Sequence, residues 1–181
     1  MDDASLRTTF LVARAAESCG CLEPGDWPDV AVSLLMEGND DPEIAELAGL
    51  SRRASGWDTD PLVAAAYDRH RISVPDKETA VDLVARLIAD DLRARPAGVT
   101  GPMIRLLARL APPDFEANLA SRCFTAEEYL DCGCGEDDLG FEAELQSMPT
   151  LGLPGPAVQA LAQSLRSTLP AVQPPHGHHG H

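Results

Sequence analysis

Residues 75–94 read PDKETAVDLVARLIADDLRA and form the most regularly patterned stretch of the chain. The apolar positions recur every three or four residues and are Val81, Val84, Leu87, Ile88 and Leu92. Charged side chains fall between them, at Asp82, Arg86, Asp90 and Arg93. This spacing places the two sets on opposite sides of a helix, and Pro96 prevents the helix from continuing. The segment therefore predicts an amphipathic helix whose apolar face packs against other helices.

The rest of the chain carries the same kind of signal, often with Asp or Thr before the first turn and Gly or Pro after the last. Further helices are predicted at 3–18, 26–38, 42–48, 60–72, 103–110, 113–122, 125–130, 141–148 and 156–168. Strand-like alternation is limited to residues 71–74 and is too short to compete with the helical pattern. We therefore predict an all-α protein, a compact multi-helix bundle of about 8–10 short helices.

Length and composition favour one folded domain followed by a tail. A chain of 181 residues is large enough to bury a core without support from a metal or a disulfide. We expect residues 1–169 to form a single helical domain, which a Pro- and Gly-containing loop could divide into sub-lobes 1–95 and 101–169. Periodicity is lost after that domain, and residues 170–181 are predicted to be a disordered tail rich in Pro, His and Gly.

The charge balance narrows the class of partner. The chain has 14 Lys and Arg against 29 Asp and Glu, a net charge of −15. Such a surface repels phosphate backbones and anionic membranes and attracts cations or basic proteins. The amino terminus lacks a secretory pattern, and no stretch has the ~20 apolar residues of a membrane helix. The 5 cysteines suit a reducing compartment. We expect a cytoplasmic protein that binds neither membranes nor nucleic acid.

Residues 44–53 read IAELAGLSRR, which is similar to the middle of a bacterial helix-turn-helix. In that interpretation Gly49 makes the turn, Ser51 caps a recognition helix, and Arg52 and Arg53 face DNA. The alternative is a plain helix that ends at the glycine, with the following leucine completing an apolar contact. We favour the plain helix end, because acidic residues surround the supposed DNA-binding face and a glycine and a proline would interrupt a helix that starts at Ser51.

The longer segment 30–50 joins two predicted helices through EGNDDP at residues 37–42 and closes on LAGL at residues 47–50. This segment resembles one found in small helical proteins of actinobacteria. The resemblance implies a bacterial helical chain. It assigns no activity and no site residues.

Two Cys-Gly-Cys pairs give the clearest chemical signal. Paired thiolates chelate soft ions, and two such pairs brought together would form a tetrahedral zinc site, in which Cys123 could replace one ligand. Alternatively, each glycine ends a helix and the cysteines are small apolar side chains at that end. The histidines of the tail could hold Zn²⁺ or Ni²⁺ as neutral imidazoles. The candidate metal ligands are Cys19, Cys21, Cys132, Cys134, His176, His178, His179 and His181. We expect no resident cofactor, with zinc or nickel as the alternative.

Motifs for catalysis are missing from the sequence: the P-loop, the dinucleotide-binding glycine motif, the HExxH zinc motif and the GxSxG nucleophile motif. Outside the tail, His70 is the sole histidine, and its position beside two arginines predicts a surface residue at a helix end. The sequence therefore favours a protein without catalytic activity.

By elimination, we expect a non-catalytic helical module that recognises another protein, as an adaptor, an immunity protein or an anti-toxin does. Trp27, Trp57 and Tyr67 are candidate anchors of the interface, although large aromatic residues also suit a core. The alternatives are a soft-metal-binding protein and an acidic helix-turn-helix regulator.

Overall fold

The structure is a computed structural model that describes residues 3–94, 148–153 and 155–167. These residues contain six α-helices, one short 3₁₀ helix (Pro24–Asp26) and no strand, which confirms the all-α class for this part of the chain. The α-helices are α1 (Asp3–Ser18), α2 (Trp27–Met36), α3 (Pro42–Gly49), α4 (Gly56–His70), α5 (Lys77–Ala94) and α6 (Gly155–Ser167). The helices predicted between residues 103 and 147, and the tail, lie outside the described residues, so the sub-lobes stay a prediction.

Helix α5 forms as its pattern predicts. The Asp76 carboxylate lies just before the helix and accepts hydrogen bonds from the Thr79 amide at 2.8 Å and the Thr79 hydroxyl at 3.0 Å. The bond from the amide satisfies a backbone donor that the first turn leaves without a helical partner. The apolar stripe is buried at Val81, Val84, Leu87 and Ile88. Burying each large apolar side chain of this kind stabilises the fold by about 1.5–3 kcal/mol.

Three helices end in the same way, with a residue in the left-handed conformation. Gly20 follows α1 with φ +68°, Gly38 follows α2 with φ +85°, and Arg71 follows α4 with φ +54°. In each case the amide of the next residue donates to the carbonyl five positions back, at 2.8 to 3.0 Å. This pair of features defines the Schellman ending. Two of the three endings use a glycine at or near the end of a predicted helix, and the third forces an arginine into a region that usually disfavours a side chain.

Helix α4 begins earlier than the sequence predicts, at Gly56. Its cap is Ser55, whose amide and hydroxyl donate to the Asp58 carboxylate at 2.9 and 2.8 Å. The prediction of a start at Asp60 and Pro61 was wrong, because this capping box lies upstream and Pro61 sits inside the helix. A proline so near the start removes one helical hydrogen bond and still leaves the first turn intact.

One apolar core joins all six described helices. Helix α2 packs against α3 and α6, α1 packs along α5, α3 contacts α4, and α6 returns to α5. The largest fully buried side chains are Phe10, Trp27, Leu34, Ile44, Leu47, Leu87 and Ile88. Helix α6 confirms the predicted helix at 156–168 and closes the core through Leu161 and Leu165. Among the described helices, none has the length and apolar content to cross a lipid bilayer.

Candidate functional site

The first Cys-Gly-Cys pair lies at the Schellman ending of α1. Gly20 takes the left-handed position, and the Cys21 amide donates to the Ala16 carbonyl at 2.8 Å. The Cys21 side chain is buried in the core, and burial raises the pKa of the half-buried Cys19 thiol. A metal binds the thiolate form, which burial disfavours. This pair therefore has the features expected of small apolar side chains at a helix end.

The other six candidate ligands lie outside the described residues and are Cys132, Cys134, His176, His178, His179 and His181. Within the described ranges, no three His, Cys, Asp or Glu side chains lie close enough together to hold a metal ion. Binding of zinc or nickel accordingly stays a prediction.

The segment that resembles a helix-turn-helix does not start a helix at Ser51. Leu50 is extended, with φ −74° and ψ 156°, and the next helix begins only at Gly56. Arg52 donates to the Asp29 carboxylate at 2.8 Å, and its carbonyl oxygen would lie 2.6 Å from a Cβ placed on Gly25. This loop is thus held tightly against the start of α2. The regulator hypothesis stays a prediction, with one of its two arginines engaged in a surface ion pair with Asp29.

His70 is not the surface residue that the sequence predicts. Its side chain is only 10% exposed, and its Nε2 lies 2.5 Å from Oδ2 of Asp41, the residue before α3. The Phe10 ring of α1 stacks on the imidazole with a centroid distance of 4.9 Å. His70 therefore ties the end of α4 to α1 and to the start of α3.

A second group of paired side chains adjoins His70. Arg69 donates to Glu43 at 2.6 and 3.2 Å, and these bonds lower the pKa of Glu43. Tyr67 donates to Glu17 at 3.4 Å while the Arg14 guanidinium lies 4.6 Å from the Tyr67 ring centre. Burial, reinforced by Glu17, strongly raises the pKa of the Tyr67 hydroxyl, which keeps it protonated. The arrangement joins helices and offers no activated nucleophile.

A cleft of about 550 Å³ lies between the end of α5 and the start of α6. Asp90 on its wall accepts from the Leu151 amide at 2.9 Å, from the Thr150 hydroxyl at 3.3 Å and from the Arg93 guanidinium. Arg93 also donates to the Met148 carbonyl. These bonds fasten residues 148–153 to α5, so Asp90 and Arg93 are already used in holding the fold.

Among the large apolar side chains of the described residues, Trp57 is the most exposed. It is 93% exposed, whereas Trp27 is 2% and Tyr67 is 4% exposed. The three predicted anchors therefore divide into two core residues and one surface residue. Other large apolar side chains with substantial exposure are Val32, Met36 and Val74.

The surroundings of Trp57 form a continuous exposed surface along one side of α4. The backbone of Trp57 is fixed by the capping box of Ser55 and Asp58, and the hydrogen bonds from Ser55 lower the pKa of Asp58. Residues three, four, seven and eleven positions after Trp57 share its side of the helix. All are exposed and, together with Trp57, are here called the α4 outer face: Trp57, Asp60, Pro61, Ala64 and Asp68.

A local signal separates Trp57 from the two buried aromatics. One turn after Trp57 stand Asp60 and Pro61, neither of which continues an apolar stripe. Tyr67 has Val63 and Ala66 on its buried side. The sequence could thus have distinguished the exposed indole from the core ring, but it could not show how fully the fold uncovers it.

Comparison of the chain with protein-family models, with curated proteins and with solved structures finds no match.

Proposed function

We propose that this chain is a non-catalytic helical protein that recognises another protein through the α4 outer face, with Trp57 as the central contact. The observation that carries the proposal is the 93% exposure of Trp57. An indole buries a large area when it enters a partner's pocket, and Trp is enriched among the residues that dominate interface energies. Surface Trp residues with this exposure are candidates for that role.

Preorganisation supports the same assignment. The Ser55 and Asp58 capping box fixes the turn that carries Trp57, so the backbone does not have to become ordered on binding. The partner then restricts mainly the two torsions of the indole side chain. An aromatic side chain on a capped helix therefore loses less conformational entropy on binding than the same side chain on a flexible loop.

The charge of the chain supports a basic partner. A net charge of −15 speeds encounter with positively charged surfaces and slows encounter with acidic ones. An adaptor, an immunity protein and an anti-toxin all act by this kind of recognition, in the cytoplasm as the sequence predicts.

The pairing of the reactive side chains favours binding over catalysis. Nε2 of His70 is engaged by Asp41 and the ring is covered by Phe10. A general base must lie within reach of its substrate, and the His70 side chain is only 10% exposed. In the described part of the chain this histidine acts as a structural link.

The test is capture from a host lysate by the tagged full-length chain, in parallel with Trp57→Ala and Met36→Ala. Met36 is 72% exposed on another helix and serves as the matched control. We expect one stoichiometric protein to be captured by the parent and by Met36→Ala, and to be lost with Trp57→Ala. Equal capture by all three proteins, or recovery of DNA in place of a protein, would contradict the proposal. Circular dichroism should show that both variants keep the parent's helical content.

A further inference from the structure

We infer that the α4 outer face binds an extended, arginine-bearing segment of a basic partner. The inference rests on the proposed function and names the chemistry of its ligand. Two features of the surface carry it: an uncovered indole, and carboxylates that follow the indole along the same side of the helix.

The indole of Trp57 is the natural contact for a guanidinium. Trp gives the strongest cation–π interaction among the aromatic side chains. Asp60 follows one turn later, displaced by ~4.5 Å along the helix axis. The adjacent Asp58 is engaged by both donors of Ser55, whereas Asp60 has one long contact, 3.4 Å from the Thr59 hydroxyl. A guanidinium lying flat on the indole can direct its N–H groups to Asp60.

Arginine fits this position better than lysine. The planar guanidinium stacks on a ring with its face and keeps the N–H groups at its edge for a carboxylate. An ammonium is a compact, strongly hydrated charge and cannot make both contacts in the same plane. The pairing of Trp57 with Asp60 therefore selects arginine at the first ligand position.

Asp68 supplies a second acidic contact at the far end of the same face. It lies ~12 Å beyond Asp60 along the helix axis, with Pro61 and Ala64 exposed between the two carboxylates. These small side chains let a peptide backbone lie close to the helix. An extended chain advances about 3.3 Å per residue, so a second basic residue about four positions from the first would reach Asp68. The neighbouring cation on α4, Arg69, is already bonded to Glu43 at 2.6 Å.

The test uses the full-length chain and blocked synthetic peptides of about a dozen Gly and Ser residues, titrated at low ionic strength to preserve charge interactions. One peptide has two arginines four positions apart, a second has the two arginines adjacent, and a third has two lysines four positions apart. Tryptophan fluorescence is the readout, because Trp27 is buried and Trp57 is exposed. Trp57→Phe serves as the blank. We expect a saturable change with the first peptide and binding at least about threefold weaker with the other two.

Charge-matched variants separate a specific site from general attraction. Asp60→Asn/Asp68→Asn removes two charges from the α4 outer face, and Glu46→Gln/Glu78→Gln removes two from exposed positions on α3 and α5. The first pair should weaken binding of the spaced arginine peptide by about fivefold, and the second by less than about twofold. Equal weakening by both pairs, equal binding of all three peptides, or no saturable change would overturn the inference.

The captured protein distinguishes this inference from the proposed function. If capture is lost with Trp57→Ala but is unchanged by Asp60→Asn/Asp68→Asn, the α4 outer face binds a protein and the arginine-bearing ligand is wrong. If capture is unchanged by Trp57→Ala, both fail. If both variants lose the captured protein while Glu46→Gln/Glu78→Gln retains it, both are supported.

Discussion

The two ends of α4 carry aromatic or imidazole side chains in opposite environments. At the carboxyl end, Tyr67 and His70 both contact Phe10 of α1, and His70 is also connected to Asp41 at the start of α3. At the amino end, Trp57 extends into solvent from a turn fixed by its own capping box. The side-chain hydrogen bonds of the carboxyl end reach partners on other elements, whereas the capping hydrogen bonds of the amino end are local. This difference is consistent with the proposal that the carboxyl end anchors the helix and the amino end recognises a partner.

The largest expected change in the free energy of unfolding comes from Phe10, which packs against the carboxyl end of α4. Phe10→Ala removes the ring that stacks on His70 and meets Tyr67 edge-on at 6.1 Å. Because Phe10 is fully buried, we expect the free energy of unfolding to fall by about 3–5 kcal/mol. Urea unfolding followed by circular dichroism measures this loss. Phe10→Leu, which keeps most of the apolar bulk, should lose less than about 1.5 kcal/mol. A loss below that value for the alanine variant would mean that the carboxyl end is not anchored through this ring.

The second prediction concerns the polar contact between His70 of α4 and Asp41 at the start of α3. Asp41→Ala leaves Nε2 of the mostly buried His70 without its carboxylate, and we expect a loss of about 1–3 kcal/mol. Glu43→Gln, two residues away in an exposed pair with Arg69, should lose clearly less. A double-mutant cycle with His70→Ala isolates the coupling between the two side chains. A coupling near zero would show that the short contact contributes nothing to anchoring.

A gain in stability is expected where α4 ends. Arg71 holds φ +54°, in the position that Gly20 and Gly38 occupy after α1 and α2. A glycine there relieves the strain of the side chain, and this outweighs its greater freedom in the unfolded chain. Arg71→Gly should therefore raise the free energy of unfolding by about 0.5–1 kcal/mol. Arg71→Ala, which removes the charge but keeps the Cβ, should bring no such gain. Equal gains from both variants would assign the effect to charge.

The sequence predicts features that depend on residues close together in the chain, and it misses contacts between residues far apart in the chain. The stripe of α5 and the glycines at the ends of α1 and α2 depend on residues within two turns of one another. The sequence predicts the stripe and a helix end at each of these glycines. The start of α4 was missed because Ser55 and Asp58 form a capping box without the usual Glu. His70 was missed for a different reason. Its partner Asp41 is 29 residues away, and only the packing of α3 against α4 brings them together.

For the candidate site, the sequence predicts which residues could anchor an interface but not how fully the fold exposes each of them. The sequence selects Trp57, Trp27 and Tyr67 as the large aromatics that could anchor an interface. The residues one turn after Trp57 suggest that it is the exposed one. Exposure itself is a property of the whole fold, because it depends on which helices cover a face. No helix among the described residues covers the amino end of α4 at Trp57.

The smallest expected effect on stability is at Trp57, and it completes the comparison. Replacing a side chain that is 93% exposed removes little packing, so Trp57→Ala should change the free energy of unfolding by no more than about 0.5 kcal/mol. Trp27→Ala, at 2% exposure, is the matched variant and should lose about 3–5 kcal/mol. The same urea titration measures both. A large loss with Trp57→Ala would place the indole inside the cooperative structure and make it unsuitable as a free contact for a partner. A near-neutral result with lost protein capture would separate recognition from folding within a single helix.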